Sequence, residues 1–443
     1  MRDFPVQTGL VIALVGAALA GARILTPAPM TSLVEFSPEK TPVTPFAIAP
    51  LKPVVLPIPS AGSAKSLPEP LLDDSKGTLD HFYRALAQTE LKAPGAITRI
   101  VHYGDSPTTA DLITGDIRAI LQGRFGDSGH GFILPGRPWA WYQHTGASVE
   151  GKGWQMAPAS QFLSRDGIFG LGGVSFTGSS GSSHIRYRTP QDRIELWFER
   201  EPGGGAVVLT ADGNEVGRVD TSGEKAAGFA AFNLPHPSQS FALQASGLSR
   251  IFGIEAERTN PGIVYDSLGL NGASVTVLSH LFNQEHWTAE LRHRNPDLVI
   301  VNYGTNEADF ASFIEKGYEK ELREVIRRLH AALPDTSLMI MSPMDRGYRF
   351  GGEIQTMPTI PEIVTIQRRV AQETGCAFFD TFRAMGGEGT MARWYATQPR
   401  LVSADFIHPN PAGGKLIAEI FTRQIISGLD RYKRRDTTHA AVP

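Results

Sequence analysis

Residues 296–303 read Pro-Asp-Leu-Val-Ile-Val-Asn-Tyr, with an unbroken apolar centre bounded by turn-forming residues. A strand of this kind has no polar face to turn toward water, so it must be covered on both sides. A parallel sheet with helices on each face meets that need, and the flanking segments supply the helices. Apolar residues recur at helical spacing over 79–92, 109–125, 310–332, 360–374 and 411–426. Short β-branched or apolar runs at 97–103, 338–342 and 377–380 read as further strands. The expected fold class is α/β, a three-layer α/β/α sandwich around a parallel sheet.

The pattern changes between about 146 and 258. Helical periodicity gives way to short alternating runs at Ser183–Arg188, Arg193–Arg200, Ala206–Ala211, Phe241–Ala245 and Ile251–Ala256. Turn signals separate them: Glu201-Pro-Gly-Gly-Gly205, Asp212-Gly-Asn214 and Ser222-Gly223. This predicts an antiparallel β-sandwich inserted at 146–258 into an α/β domain formed by 76–145 and 259–430, with a solvated tail at 431–443. Upstream, Arg2 precedes an apolar run from Leu10 to Ala22 that closes in small residues, which reads as a signal peptide or an uncleaved membrane anchor over 1–25. The Pro-rich stretch 26–75 then reads as an extended tether. A periplasmic or cell-envelope location follows, with an inner-membrane tether if the anchor is retained.

Bulk properties narrow the function. A formal net charge of -3 argues against a nucleic-acid partner, which would need a basic stripe. The one cysteine, Cys376, excludes an internal disulfide and sits in a strand-like run as a core residue. The histidines are scattered with no metal-ligand spacing, so no metal is expected.

Three polar turns follow strands of the α/β part: Gly104-Asp105-Ser106, Gly304-Thr305-Asn306-Glu307 and Asp405-Phe-Ile-His408. Ligands of open α/β sheets bind beyond the carboxyl ends of the strands, where such turns meet. A serine hydroxyl becomes a nucleophile when a base takes its proton, and histidine titrates in the right range. Asp405 and His408 are three apart, a spacing that places both side chains on one side of a helical turn, where the carboxylate could orient the imidazole. Asn306 can donate through its amide nitrogen. No cofactor is expected, since protein groups activate the nucleophile.

These blocks resemble those of the Ser-Gly-Asn-His (GDSL-type) hydrolase superfamily. The matching residues are Gly104-Asp105-Ser106, Gly272 within 265–273, Gly304-Thr305-Asn306-Glu307 and Asp405-Phe-Ile-His408. The resemblance implies the hydrolase fold of that superfamily, with Ser106 as nucleophile, His408 as base and Asp405 as its orienter. It also implies an oxyanion hole from the N–H groups of Ser106 and Gly272 and the Asn306 side chain, with Gly269 the alternative glycine. Wider context, in His102-Tyr-Gly-Asp-Ser106, Phe125-Gly-Asp-Ser-Gly-His-Gly-Phe132 and Val264-Tyr-Asp-Ser-Leu-Gly-Leu-Asn-Gly-Ala273, is similar to bacterial periplasmic peptidoglycan O-acetylesterases, in which a carbohydrate-binding-like β domain interrupts the hydrolase. Pro107 departs from that group, where a polar residue often follows the serine; proline is accepted in a first helical turn. An acetylated glycan, peptidoglycan or an exopolysaccharide, is the implied substrate. An O-acetyltransferase using the same groups and a non-catalytic glycan binder are the alternatives. Trp139, Trp141 and Tyr142 form an aromatic cluster suited to sugar stacking or to packing between domains. Asp345 and Arg346 read as surface ion-pairing residues.

Overall fold

The computed structural model describes residues 70–161, 164 and 166–440. The leader at 1–25 and all but the last residues of the tether at 26–75 lie outside them. No helix among the described residues is long and apolar enough to cross a membrane.

Six strands form the central sheet, in the order Leu72–Asp73, Ala377–Phe379, Ser337–Met341, Leu298–Asn302, Ile97–Gly104 and Gly262–Gly269. All neighbours pair in parallel except the first, which runs antiparallel to Ala377–Phe379 at the sheet edge. Successive side chains of a strand point to opposite faces. Ile100, Leu298, Ile300 and Met339 accordingly join one apolar layer with Leu121, Phe421 and Ile425 from the helices Thr114–Phe125 and Pro411–Ala440. Val101, Tyr103, Val299, Val301 and Ile340 join the other with Trp287, Leu322, Val325 and Val370 from Gln284–Arg294, Glu319–Ala332 and Thr359–Thr374. The α/β/α sandwich read from the sequence is the fold. Cys376 is buried and its thiol is pushed up to about 12 by that burial, as befits a core position.

Several boundaries differ, each for a visible reason. The helix expected over 109–125 is two, Ser106–Thr109 and Thr114–Phe125. Between them Asp111 takes a left-handed φ of 53°, while its carboxylate accepts from Thr114 Oγ1 (2.7 Å) and Thr145 N (2.7 Å) and pairs with Arg118. Order begins within the expected tether, because Leu72–Asp73 pairs with the sheet edge. The expected tail at 431–443 instead continues the last helix to Ala440. Lys433 pairs with Glu90 and Arg435 with Asp80, while Tyr432 packs against Tyr83, so the helix Asp80–Glu90 holds it.

The insert is antiparallel, as its alternation implies, but its strands join in one nine-stranded sheet instead of two separate ones. Two long strands cause this: Ser182–Arg200, of 19 residues, and Ala226–Ser246, of 21 residues, pair along their lengths. The first joins the two runs read at Ser183–Arg188 and Arg193–Arg200, and the second extends the run read at Phe241–Ala245 back to Ala226. Their register shifts between Asn233 and Ser240, the stretch that holds Pro235 and Pro237, so the prolines fall where the ladder is already broken. The insert also starts earlier than 146, since Gly131–Ile133 pairs with residues 254–256 of Ser249–Glu257.

Insert and sandwich share one core. Phe132, Trp197 and Ile254 belong to the same apolar cluster as Leu270, Trp287 and Val299. A buried ionic cluster crosses the same boundary. Arg294 donates to Asp266 through Nε (2.5 Å) and Nη2 (3.1 Å) and to Glu257 Oε1 through Nη1 (2.8 Å). Arg99 grips Glu257 as well, at 2.9 and 2.8 Å. Removing one partner of such a group strands a charge away from water. Arg294→Ala is therefore expected to cost about 3–5 kcal/mol in denaturant unfolding; a loss under about 1 kcal/mol would show the cluster to be dispensable.

Candidate active site

The sheet register brings three strand ends level. Gly269 pairs with Gly104, and Asn302 pairs with Gly104 on its other side. From this row the chain departs into the turns carrying Gly272, Ser106 and Asn306.

Ser106 opens the single helical turn Ser106–Thr109, closed by Thr109 N to Asp105 O (2.9 Å) and Ala110 N to Ser106 O (3.0 Å). Pro107 fits because the N–H it lacks would have no partner in a first turn. Ser106 Oγ lies 2.7 Å from His408 Nε2, and His408 Nδ1 lies 2.7 Å from Asp405 Oδ2. Hydroxyl, imidazole and carboxylate thus form an unbroken relay across 302 residues of sequence.

The Asp405–His408 segment is not the helical turn that its spacing suggests. Phe406 has a left-handed φ of 58°, and Asp405 Oδ1 accepts from Ile407 N (2.9 Å) and His408 N (3.1 Å). The carboxylate folds the loop around itself and leaves its second oxygen for the imidazole. Burial opposes the charge of Asp405, yet the hydrogen bonds from His408 and from the N–H groups of Ile407 and His408 hold its carboxyl below the usual carboxylate range. Phe406 O accepts from Gly347 N (2.8 Å) and His408 O from Ser403 N (2.8 Å), fixing the loop at both ends.

Leu270–Ala273 forms a turn closed by Ala273 N to Leu270 O (3.1 Å), and Leu270 N donates to Gly104 O (2.9 Å). The two candidate glycines serve different ends. A Cβ at Gly269 would lie 2.0 Å from Thr109 N, so this glycine lets the strand approach the turn that begins at Ser106. Gly272 takes φ +68° in open space, and its N–H has no hydrogen-bond partner among the described residues. Asn306 Nδ2 donates to Ala273 O (2.8 Å) and lies 3.5 Å from Asp105 Oδ2. Ser106, Gly272, Asn306, Asp405 and His408 therefore belong to one constellation.

Sequence reading passed over several supports. Glu307, wholly buried, accepts from Gly304 N (3.1 Å) and Val275 N (2.7 Å), which ties the Asn306 turn to the Gly272 turn. Burial pushes its carboxyl up to about 7. Burial likewise pushes Asp105 up to about 6, against a hydrogen bond from Thr305 and the fields of His408 and Arg346. Both acids stand inside motifs already quoted, and their burial is the part that no motif displays. Of the two residues read as surface ion-pairing, Arg346 pairs with Asp309 (2.7 Å) and also donates to Thr305 O (2.6 Å), bracing the Asn306 turn, whereas Asp345 is not at the surface: it is buried and accepts from Met391 N (2.8 Å). Of the aromatic cluster, Trp139 and Tyr142 are buried and Trp141 is exposed. No group of three or more His, Cys, Asp or Glu among the described residues is placed to hold a metal ion.

Residues 238–416 match the model of the GDSL-like lipase/acylhydrolase family. That span holds Gly272, Asn306, Asp405 and His408, while Ser106 precedes the insert. Among solved structures, the chain is similar to a peptidoglycan O-acetylesterase at 24% identity and a TM-score of 0.68, covering 79% of this chain and 96% of that one. It is also similar to a catalytic mutant of an acetylxylan esterase from Geobacillus stearothermophilus at 22% identity and a TM-score of 0.29, covering 37% of this chain and 73% of that one. A comparison with curated proteins gives no match.

The raised carboxyl of Glu307 has a thermodynamic consequence. Between its ordinary value of 4.5 and about 7, the folded chain keeps a proton that the unfolded chain has released. Raising pH favours the state that binds fewer protons, so this group makes stability fall across that window. Glu307→Gln carries no such proton. Its unfolding free energy, relative to wild type, is expected to gain on the order of 2 kcal/mol between the bottom and top of the window. Parallel pH profiles for the two proteins would refute the account.

Proposed function

We propose that the chain is an exported serine esterase of the Ser-Gly-Asn-His hydrolase kind that removes O-acetyl groups from a cell-envelope glycan, with peptidoglycan as the polymer. The observation that carries this reading is the relay of Ser106 Oγ, His408 Nε2 and Nδ1, and Asp405 Oδ2, with both links at 2.7 Å. The choice of polymer is supported by the fold likeness to a peptidoglycan O-acetylesterase across nearly the whole of that protein. The choice of an envelope location is supported by the apolar leader and Pro-rich tether of the sequence.

In the proposed reaction His408 takes the Ser106 proton as Oγ attacks the acetyl carbonyl carbon. Asp405 keeps Nδ1 protonated and stabilises the imidazolium that forms. The carbonyl oxygen becomes an oxyanion that accepts from the N–H groups of Ser106 and Gly272 and from the Asn306 amide. One Asn306 amide hydrogen is committed to Ala273 O; the nitrogen lies only 3.5 Å from Asp105 Oδ2, a weak contact that leaves the second hydrogen for the oxyanion. The C–O bond to the sugar then breaks, and His408 returns its proton to the departing sugar oxygen. Water, deprotonated by His408, attacks the acetyl-serine carbonyl and releases acetate, restoring Ser106.

With the full chain, Ser106→Ala is expected to abolish acetate release from a small acetyl ester and from O-acetylated peptidoglycan, with an unchanged unfolding transition. Equal rates in wild type and variant would rule out the nucleophile. Asn306→Ala should lower kcat by about 10²–10³ with a smaller change in KM, as for the loss of one oxyanion donor. Acetyl transfer to a glycan acceptor in place of acetate release would make the enzyme a transferase using the same groups.

A further inference from the structure

We propose that the exposed face of Trp141 is the platform on which a sugar ring of the substrate stacks beside Ser106, an inference that rests on the glycan-esterase reading above. Trp141 is 50% exposed, whereas Trp139 and Tyr142 from the same run are 8% and 3% exposed. Placing an indole in water forgoes the burial gain that an aromatic ring usually takes. The loop nevertheless holds it there by several fixed contacts. Tyr142 Oη accepts from Leu134 N (2.9 Å), Tyr142 N donates to Trp139 O (3.0 Å), and the Arg137 guanidinium donates to the carbonyls of Ala140 and Tyr142.

Two ties set this loop against the active site. Trp141 Nε1 donates to Asn271 Oδ1 (2.9 Å), and Asn271 immediately precedes Gly272. Gln143 donates through N to Thr109 O (3.3 Å) and through Nε2 to Ala110 O (3.2 Å), on the turn that Ser106 begins. The indole is therefore anchored between the turn of the nucleophile and the turn of the oxyanion glycine.

The chemistry left exposed selects the ligand. With its N–H satisfied by Asn271, Trp141 offers only an aromatic face, beside the Asn271 amide. A pyranose matches this, having an apolar C–H face for the ring and a hydroxyl edge for the amide. An acyl chain would need a continuous apolar trough. The other large exposed apolar side chains among the described residues, Leu91, Met156, Leu248, Phe310 and Phe350, lie on separate segments of the chain. Trp141 is thus a specificity-determining residue that holds an acetylated sugar with its ester toward Ser106.

The test measures acetate release by full-length wild type, Trp141→Ala and Trp141→Phe from O-acetylated peptidoglycan, acetylated xylan and 4-nitrophenyl acetate. On the preferred glycan, Trp141→Ala should lose at least about ten-fold more kcat/KM than on the small ester, mostly through KM. Trp141→Phe, which keeps a ring but lacks the N–H, should recover most of that difference. Equal losses on glycan and small ester, no loss on either, or a Phe variant as impaired as the Ala variant would overturn the platform. Wild type that cleaves the small ester but frees no acetate from either glycan would overturn the glycan reading and the platform together. Wild type inert on all three would overturn the esterase itself.

Discussion

Parallel pairing in one register is the constraint on which the candidate active site depends. Gly269, Gly104 and Asn302 stand side by side because Gly262–Gly269 and Leu298–Asn302 flank Ile97–Gly104 and run in the same direction. Neighbouring strands lie about 4.8 Å apart, so short turns leaving one row reach a common spot. Ser106, Gly272 and Asn306 come two, three and four residues after Gly104, Gly269 and Asn302. A slip of one residue in either pairing would move Gly272 or Asn306 away from Ser106 and would also turn the strand's apolar side chains to the wrong layer. Packing and chemistry are thus enforced by the same register.

The α/β framework was legible because buried parallel strands and amphipathic helices leave strong periodic signals. The residues of the candidate site were legible as well, since polar turns at strand exits are conspicuous. What the sequence did not display depends on contacts distant along the chain. Asp405 and His408 have helical spacing, yet a carboxylate that caps two following N–H groups and a left-handed Phe406 replace the helix. Glu307 reads as a charged residue after a strand, but its two acceptor bonds to backbone N–H groups need the Val275 loop to be in place. The alternating insert announced antiparallel strands; that two of them were continuous across prolines depended on a register shift that no local pattern encodes.

The two sets of charged groups work in opposite surroundings. Arg294, Asp266 and Glu257 are sealed from water and gain strength from the low dielectric around them, at the risk of a large penalty if one is lost. Asp405 and His408 are partly open, with side chains 45% and 34% exposed. Rigidity at the relay therefore comes from hydrogen bonds that fix the loop at Ser403 and Gly347 and not from burial.

The insert leaves and rejoins the sandwich at one place. Ile263 N donates to Gly126 O (2.8 Å), Ser128 N to Ile263 O (3.2 Å) and Arg258 N to Ser128 O (2.7 Å), so its outgoing and returning chains are stitched together at the root. Such a closed neck is the geometry by which a gene segment can be spliced into a working domain without tearing its sheet. The shared core above the neck means that neither the insert nor the sandwich covers its facing apolar surface alone. Swapping this lobe between related chains would succeed only if the facing apolar surface and Arg294 travelled with it.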